Sequence, residues 1–195
     1  MIYNGTLSAP LEINYLGTAK GAGRFGEVTV NDGGTFAPGN SPGLAQTGSV
    51  TLNAGGRFEV EIVDPLGAPG VGFDLWEITG NVDFNAGTTA NSAFTIALKS
   101  LRPDHAPGPL AGFDQAARHA WTILSADTVT GFDPAEVLLD LAGFANAHDG
   151  QFSLALAGID GRIALQVLYQ PVPLPGAQCL LLGALGLLWT RRRRA

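Results

Sequence analysis

GEVTVNDGGTF (residues 26–36) returns as GSVTLNAGGRF (48–58) and again as GNVDFNAGTTA (80–90). The starts are 22 and 32 residues apart, and the shared pattern is Gly, a polar residue, Val, Thr or Asp, an apolar residue, Asn, Asp or Ala, and Gly. Apolar positions alternate within each copy: Val28 and Val30, Val50 and Leu52, Val82 and Phe84. Strand side chains point to opposite faces with period two, so each copy places its apolar pair on one face. A second alternating stretch follows the glycines. In RFEVEIV (57–63), Phe58, Val60 and Ile62 face one way and Arg57, Glu59 and Glu61 the other, and FTIAL (94–98) continues the pattern. Between the two strands the chain must turn sharply, and Gly33/Gly34, Gly55/Gly56 and Gly87 suit the positive φ of such turns.

One such unit buries almost nothing alone, so stacking of units must supply the core. Stacked in parallel, Asn31, Asn53 and Asn85 would lie one above another and hydrogen-bond as a ladder. The fold class read from this is all-β, a parallel β-solenoid, with the loop around Asp64–Gly72 leaving the column to absorb the longer second interval. An antiparallel β-sandwich whose strand–turn pattern repeats by chance is the competing architecture.

The composition agrees. Of 195 residues, 27 are Gly and 12 Pro, and only 14% are charged, which points to short strands and turns rather than long helices. The net charge of −6 becomes −10 for residues 1–190 once the four terminal arginines are set aside, so the body offers no basic patch for nucleic acid. The only cysteine, Cys179, lies in the tail, which leaves the body without a disulfide or a thiol metal site. The first twenty residues have no basic residue before Lys20 and no apolar run of signal-peptide length. The expectation is that the coding frame extends upstream, with further coils and an export signal.

GGTFAPGNSPGLAQTGSVTLNAGGRFEVEI (33–62) closely resembles the passenger-domain repeat of bacterial autotransporter-like β-helix proteins, in which a GGTLAPGNSPG-type turn leads into a new coil. A D-x-L-x-x-x-G stretch follows in that family, and Asp74, Leu75 and Ile78–Gly80 fill its place here, with Trp76 inserted. The resemblance covers residues 20–99 and implies a right-handed β-helix on a cell surface.

Three regions result: the repeat over 1–99, a β-rich cap over 100–170, and a tail over 171–195. In the cap, Trp121/Ile123, Phe152/Leu154/Leu156 and Ile163/Leu165/Val167/Tyr169 are the inward candidates, and DPAEVLLDLAG (133–143) reads as a short helix or amphipathic connection. An open solenoid end presents unpaired strand edges, so a distinct terminal structure is expected.

The tail, VPLPGAQCLLLGALGLLWTRRRRA, is tripartite. Gly176–Thr190 gives 15 residues without a charge. As a hydrophobic helix they would rise about 22 Å, short against a hydrocarbon core of ~30 Å. Arg191, Arg192, Arg193 and Arg194 would stay cytoplasmic and act as a stop-transfer signal, leaving the body outside. The prolines before the run favour an extended strand accessible to a peptide-cleaving enzyme. This layout resembles the PEP-CTERM class of sorting signals in its VPLPA variant: Val172, Pro173, Leu174 and Pro175 match, and Gly176 stands where the variant has alanine. The resemblance implies export, a transient single-pass inner-membrane stage, and processing by an exosortase that releases the protein to the cell envelope. A plain single-span anchor is the alternative.

Glu59 and Glu61, two apart on one strand face, have the arrangement of paired carboxylates in a sugar-cleaving enzyme, but Arg57 beside them favours a solvated outer face. His105, His119 and His148 lack metal-ligand spacing and read as surface residues. No catalytic, cofactor or metal residue is assigned. The expected function is a non-enzymatic surface or matrix protein, with extracellular polysaccharide as a candidate partner; a polysaccharide lyase or hydrolase on the same scaffold is the rival.

Overall fold

The computed structural model describes residues 1–85 and 93–172, which form seventeen strands and no helix. Fifteen of the strands follow one another in five coils of three. Coil 1 holds β1 (Thr6–Leu7), β2 (Leu11–Ile13) and β3 (Thr18–Gly21); coil 2 holds β4 (Arg24–Phe25), β5 (Val28–Val30) and β6 (Thr35–Pro38). Coil 3 holds β7 (Leu44–Thr47), β8 (Val50–Asn53) and β9 (Arg57–Ile62); coil 4 holds β10 (Leu75–Ile78), β11 (Asn81–Asn85) and β12 (Phe94–Ser100). Coil 5 holds β13 (His119–Ala126), β14 (Thr128–Thr130) and β15 (Val137–Gly143). Equivalent strands pair in parallel, so the first, second and third strands of the coils build three separate sheets. The described residues form an all-β stack of parallel coils, a solenoid, and the antiparallel sandwich is excluded for the repeat.

The register is the one the repeats imply. Val28 stands opposite Val50, and Val50 opposite Val82, in one column of the second sheet. Phe58, Val60 and Ile62 are fully buried in β9, as are Ile96 and Leu98 in β12 above them. The segment between β9 and β10 leaves the stack as expected, looping through residues 63–74. Loops between the third and first sheets lengthen coil by coil, from residues 22–23 to 39–43, 63–74 and 101–118. Insertions in a solenoid are tolerated where they protrude without breaking the column, and here one corner takes most of them.

A column of amides runs beside the valines. Asn31 donates through Nδ2 to Asn14 Oδ1 (2.7 Å), Asn53 to Asn31 (2.7 Å), and Asn85 to Asn53 (3.2 Å). The expected ladder is thus extended by one rung, Asn14, in a coil that the repeat reading begins too late to include. Asn53 sits mid-ladder with a bond on each side, so Asn53→Ala is expected to cost about 1–2 kcal/mol, roughly twice the loss from Asn14→Ala at the end. Urea denaturation of the two variants measures this; equal losses would show that the amides act independently of the stack.

The glycines after the ladder have two separate reasons. Gly33 and Gly55 take positive φ, +69° and +75°. Gly34 does not, but a Cβ there would meet the Ile13 carbonyl oxygen at 2.1 Å, so close passage over the coil below requires its small size. Gly87 lies outside the described residues.

Two further expectations change. Residues 137–143, read as part of a short helix or connection, form β15, paired in parallel with β12. Val137 is buried and Leu139 and Leu141 pack against the core, a period-two pattern that the preceding Asp-Pro obscures in the sequence. The parallel order also continues past residue 99 through coil 5. Only β16 (Gln151–Ile159) and β17 (Arg162–Gln170) depart from it: they form an antiparallel hairpin that closes the first sheet by pairing β17 with β13. Trp121, Ile123, Leu154, Leu165, Val167 and Tyr169 are buried as expected, whereas Leu156 is 40% exposed. Arg162 fastens the hairpin down, donating to Ser125 Oγ, the Asp127 carboxylate (2.9 Å each) and the Ile78 carbonyl one coil lower. The hydrophobic helix expected for the tail lies outside the described residues.

Candidate functional site

The two halves of the repeat resemblance meet in space. In the turn after β6, Gly39 and Gly43 close on each other so tightly that a Cβ on Gly39 would lie 2.3 Å from the Gly43 Cα. The Gly43 N–H then points at Asp74, whose Oδ1 accepts it at 2.7 Å, while Asp74 Oδ2 accepts the Glu61 N–H at 2.8 Å. Asp74 is fully buried, and it ties the GNSPG turn of coil 2 to the end of β9 and the start of β10. Burial pushes its carboxyl well above the ordinary carboxylate range, and the neighbouring Glu61 adds to the rise; the two N–H donors and Lys20 offset only part of it. Its arrangement is structural: both oxygens are occupied by backbone.

Two pairs of outward charges on the third sheet bridge coils. Glu59 lies 2.6 Å from Lys99 of the next coil, and Arg57 lies 2.9 Å from Asp140 two coils up. The Asp140 carboxyl is held below its usual range, first by the Ala142 N–H and then by Arg57. Glu61 is buried rather than solvated, so Glu59 and Glu61 do not face a common open site. His105 is exposed, as expected. His119 is a correction: it is 7% exposed, stacked between Trp121 (ring centroids 5.3 Å) and Phe113 (5.0 Å), because an imidazole with one satisfied nitrogen packs as an aromatic ring. His148 is half-buried against Phe144 and Phe152 of the same cluster.

Of the residues expected to form a sorting motif, Val172 is described. It is 57% exposed and follows β17 after Pro171 alone, at the end of the hairpin. Pro173, Leu174, Pro175 and Gly176, and Arg191 to Arg194, lie outside the described residues.

Two concave regions among the described residues bear on function. One, about 720 Å³, lies between the long loops of coils 3 and 4 and is lined by Val63, Val71, Pro103, Ala111, Asp64 and His105. The other, about 510 Å³, follows the corner between the first and second sheets. There Gly26 and Gly48 place no side chain, and Thr6, Arg24, Glu27, Gln46 and Thr79 stand around the opening. Thr6, Arg24, Gln46 and Glu77 are successive register partners on the outer face of the first sheet, and Gln46 donates to Glu77 at 2.5 Å. The aligned repeat contains none of this row: Arg24, Gln46 and Glu77 precede the motif in their coils, and Thr6 lies in a coil outside the three copies.

Among the described residues no cluster of His, Cys, Asp and Glu could hold a metal ion, and no helix is long and apolar enough to cross a membrane. The described residues define a parallel β-solenoid closed by an antiparallel hairpin. No family model, curated protein or solved structure matches it.

Proposed function

We propose that the protein is a non-enzymatic component of a bacterial cell surface or extracellular matrix, wound as a right-handed β-helix and delivered to the envelope by exosortase-type processing at Val172–Gly176. In this reading Gly176–Thr190 is the apolar segment that would hold the chain in the inner membrane before processing, with Arg191–Arg194 on the cytoplasmic side. The observation that carries this reading is the motif, apolar run and arginine cluster in direct series after the last strand. The exposure of Val172 at the hairpin edge supports it, since a peptide-cleaving enzyme needs an extended, accessible strand. The non-enzymatic part is supported by the pairing of Glu59 with Lys99 and of Arg57 with Asp140, which turns the outward charges toward holding coils together.

A sorting signal and a plain anchor make different demands on the same residues. An anchor needs apolar length and basic flanks alone, so Pro173→Ala/Pro175→Ala should leave it inserted. A sorting signal needs the extended motif, so the double variant should abolish cleavage. In an exosortase-bearing host, with an export signal supplied upstream, the mature wild-type protein is expected to lack everything from about Gly176 onward, and the variant to keep Arg191–Ala195. Intact-mass measurement decides it: a mature wild-type chain that retains the arginines makes the tail an anchor.

A further inference from the structure

The cleft at the corner of the first and second sheets has a charge balance that points to its ligand. Its lining carries one cation, Arg24, and one anion, Glu27; the remaining polar groups are hydroxyls and the Gln46 amide. Arg24 is exposed, and no described carboxylate lies within salt-bridge distance of it. It also borders a second, smaller hollow of about 260 Å³, whose lining shares Thr6, Arg24 and Gln46 with the first and includes Asn4. The hollows exist for two reasons. β1 and β4 are two residues long where β7 and β10 have four, so the first sheet narrows toward the first coil. At the adjoining corner, a Cβ on Gly26 would meet the Ser8 carbonyl oxygen at 2.6 Å, which keeps that position bare.

A track with donors and acceptors in near-equal supply and no net charge suits a ligand whose groups both donate and accept. Sugar hydroxyls do so. An anionic chain would meet Glu27 in the cleft, Glu77 two rungs along and an acidic body around them, and nucleic acid would meet the same repulsion more strongly. The volume lies within the ~300–1,000 Å³ typical of small-ligand sites, enough for a few sugar units rather than a whole chain.

We propose that this cleft is a subsite for an uncharged polysaccharide lying across β1, β4 and β7, with Arg24 and Glu27 hydrogen-bonding its hydroxyls. The proposal rests on the surface-matrix reading and names the ligand class within it. The test is binding of the full-length protein in detergent to an array of neutral and uronate-bearing bacterial polysaccharides. Wild type is expected on neutral glycans, with affinity unchanged between low and high salt. Arg24→Ala should weaken that binding at least tenfold, while Arg118→Ala, another exposed arginine far along the chain, should leave it intact. Arg24 has no ion pair to lose, so the thermal midpoint should not move and a folding defect is separable from a binding defect. Neutral binding that survives Arg24→Ala overturns the site and leaves the surface-matrix reading standing. Salt-sensitive binding to uronate glycans alone overturns the ligand class. Binding to no polysaccharide overturns the site and the ligand class together, while the surface-matrix reading is decided separately by the mass of the mature C-terminus.

Discussion

Trp76→Ala is expected to lower the free energy of unfolding by about 3–5 kcal/mol, the range for truncating a fully buried aromatic. Trp76 has no exposed surface; its ring stacks on Phe36 at 3.9 Å and meets Phe58 edge-on at 5.2 Å. Its Nε1–H donates to Thr47 Oγ1 at 3.0 Å, and Thr47 is itself buried. Truncation therefore removes contacts in three successive coils and leaves a cavity walled by paired strands that cannot collapse into it. In a solenoid each coil leans only on its neighbours, so a weak middle interface is felt on both sides. Trp76→Phe separates the two components, keeping most of the ring and losing the N–H bond, and should cost only about 1–2 kcal/mol. Urea unfolding followed by circular dichroism measures both; a loss below 1 kcal/mol for the alanine variant would contradict the packing described.

What the sequence made legible, and what it hid, follows from which interactions are periodic. The valine column and the Asn31–Asn53–Asn85 ladder repeat because stacking demands the same residue at the same height, and they were readable before any coordinates. Coil 1 is hidden because Ala9 stands where the other copies open on glycine, although LEIN at Leu11–Asn14 preserves the alternation and the ladder asparagine. Coil 5 was hidden because its strands are separated from coil 4 by the eighteen-residue loop 101–118, which breaks the period without breaking the stack. His119 is hidden for another reason: its polarity suggests exposure, whereas its burial depends on the aromatic partners Phe113, Trp121 and Tyr169, which converge on it only in the fold. The polar row of the first sheet pairs positions that precede the aligned motif, so comparing the copies could not find it.

Asp74→Ala is expected to cost about 2–5 kcal/mol, because it strands two buried donors, the N–H groups of Gly43 and Glu61, at roughly 1–3 kcal/mol each. Asp74→Asn should be intermediate, offering one acceptor and turning an NH₂ toward the other N–H. The pH dependence is the sharper test, since burial holds the folded carboxyl well above its ordinary range. Below the unfolded value of ~3.9 the group is protonated in both states, and its contribution is fully present. Between that value and the raised folded one, only the folded protein keeps the proton, so stability falls as pH rises, by at most about 1.4 kcal/mol per unit for one proton. Above the folded value the loss is complete and the curve is flat. Asp74→Asn cannot titrate there and lacks this slope, while carboxylates remote from Asp74 contribute equally to both proteins. The difference in unfolding free energy, wild type minus Asp74→Asn, is therefore expected to decline from pH 4 upward and then level off. A difference that grows with pH would mean that the two N–H donors outweigh burial and hold Asp74 ionised in the folded solenoid.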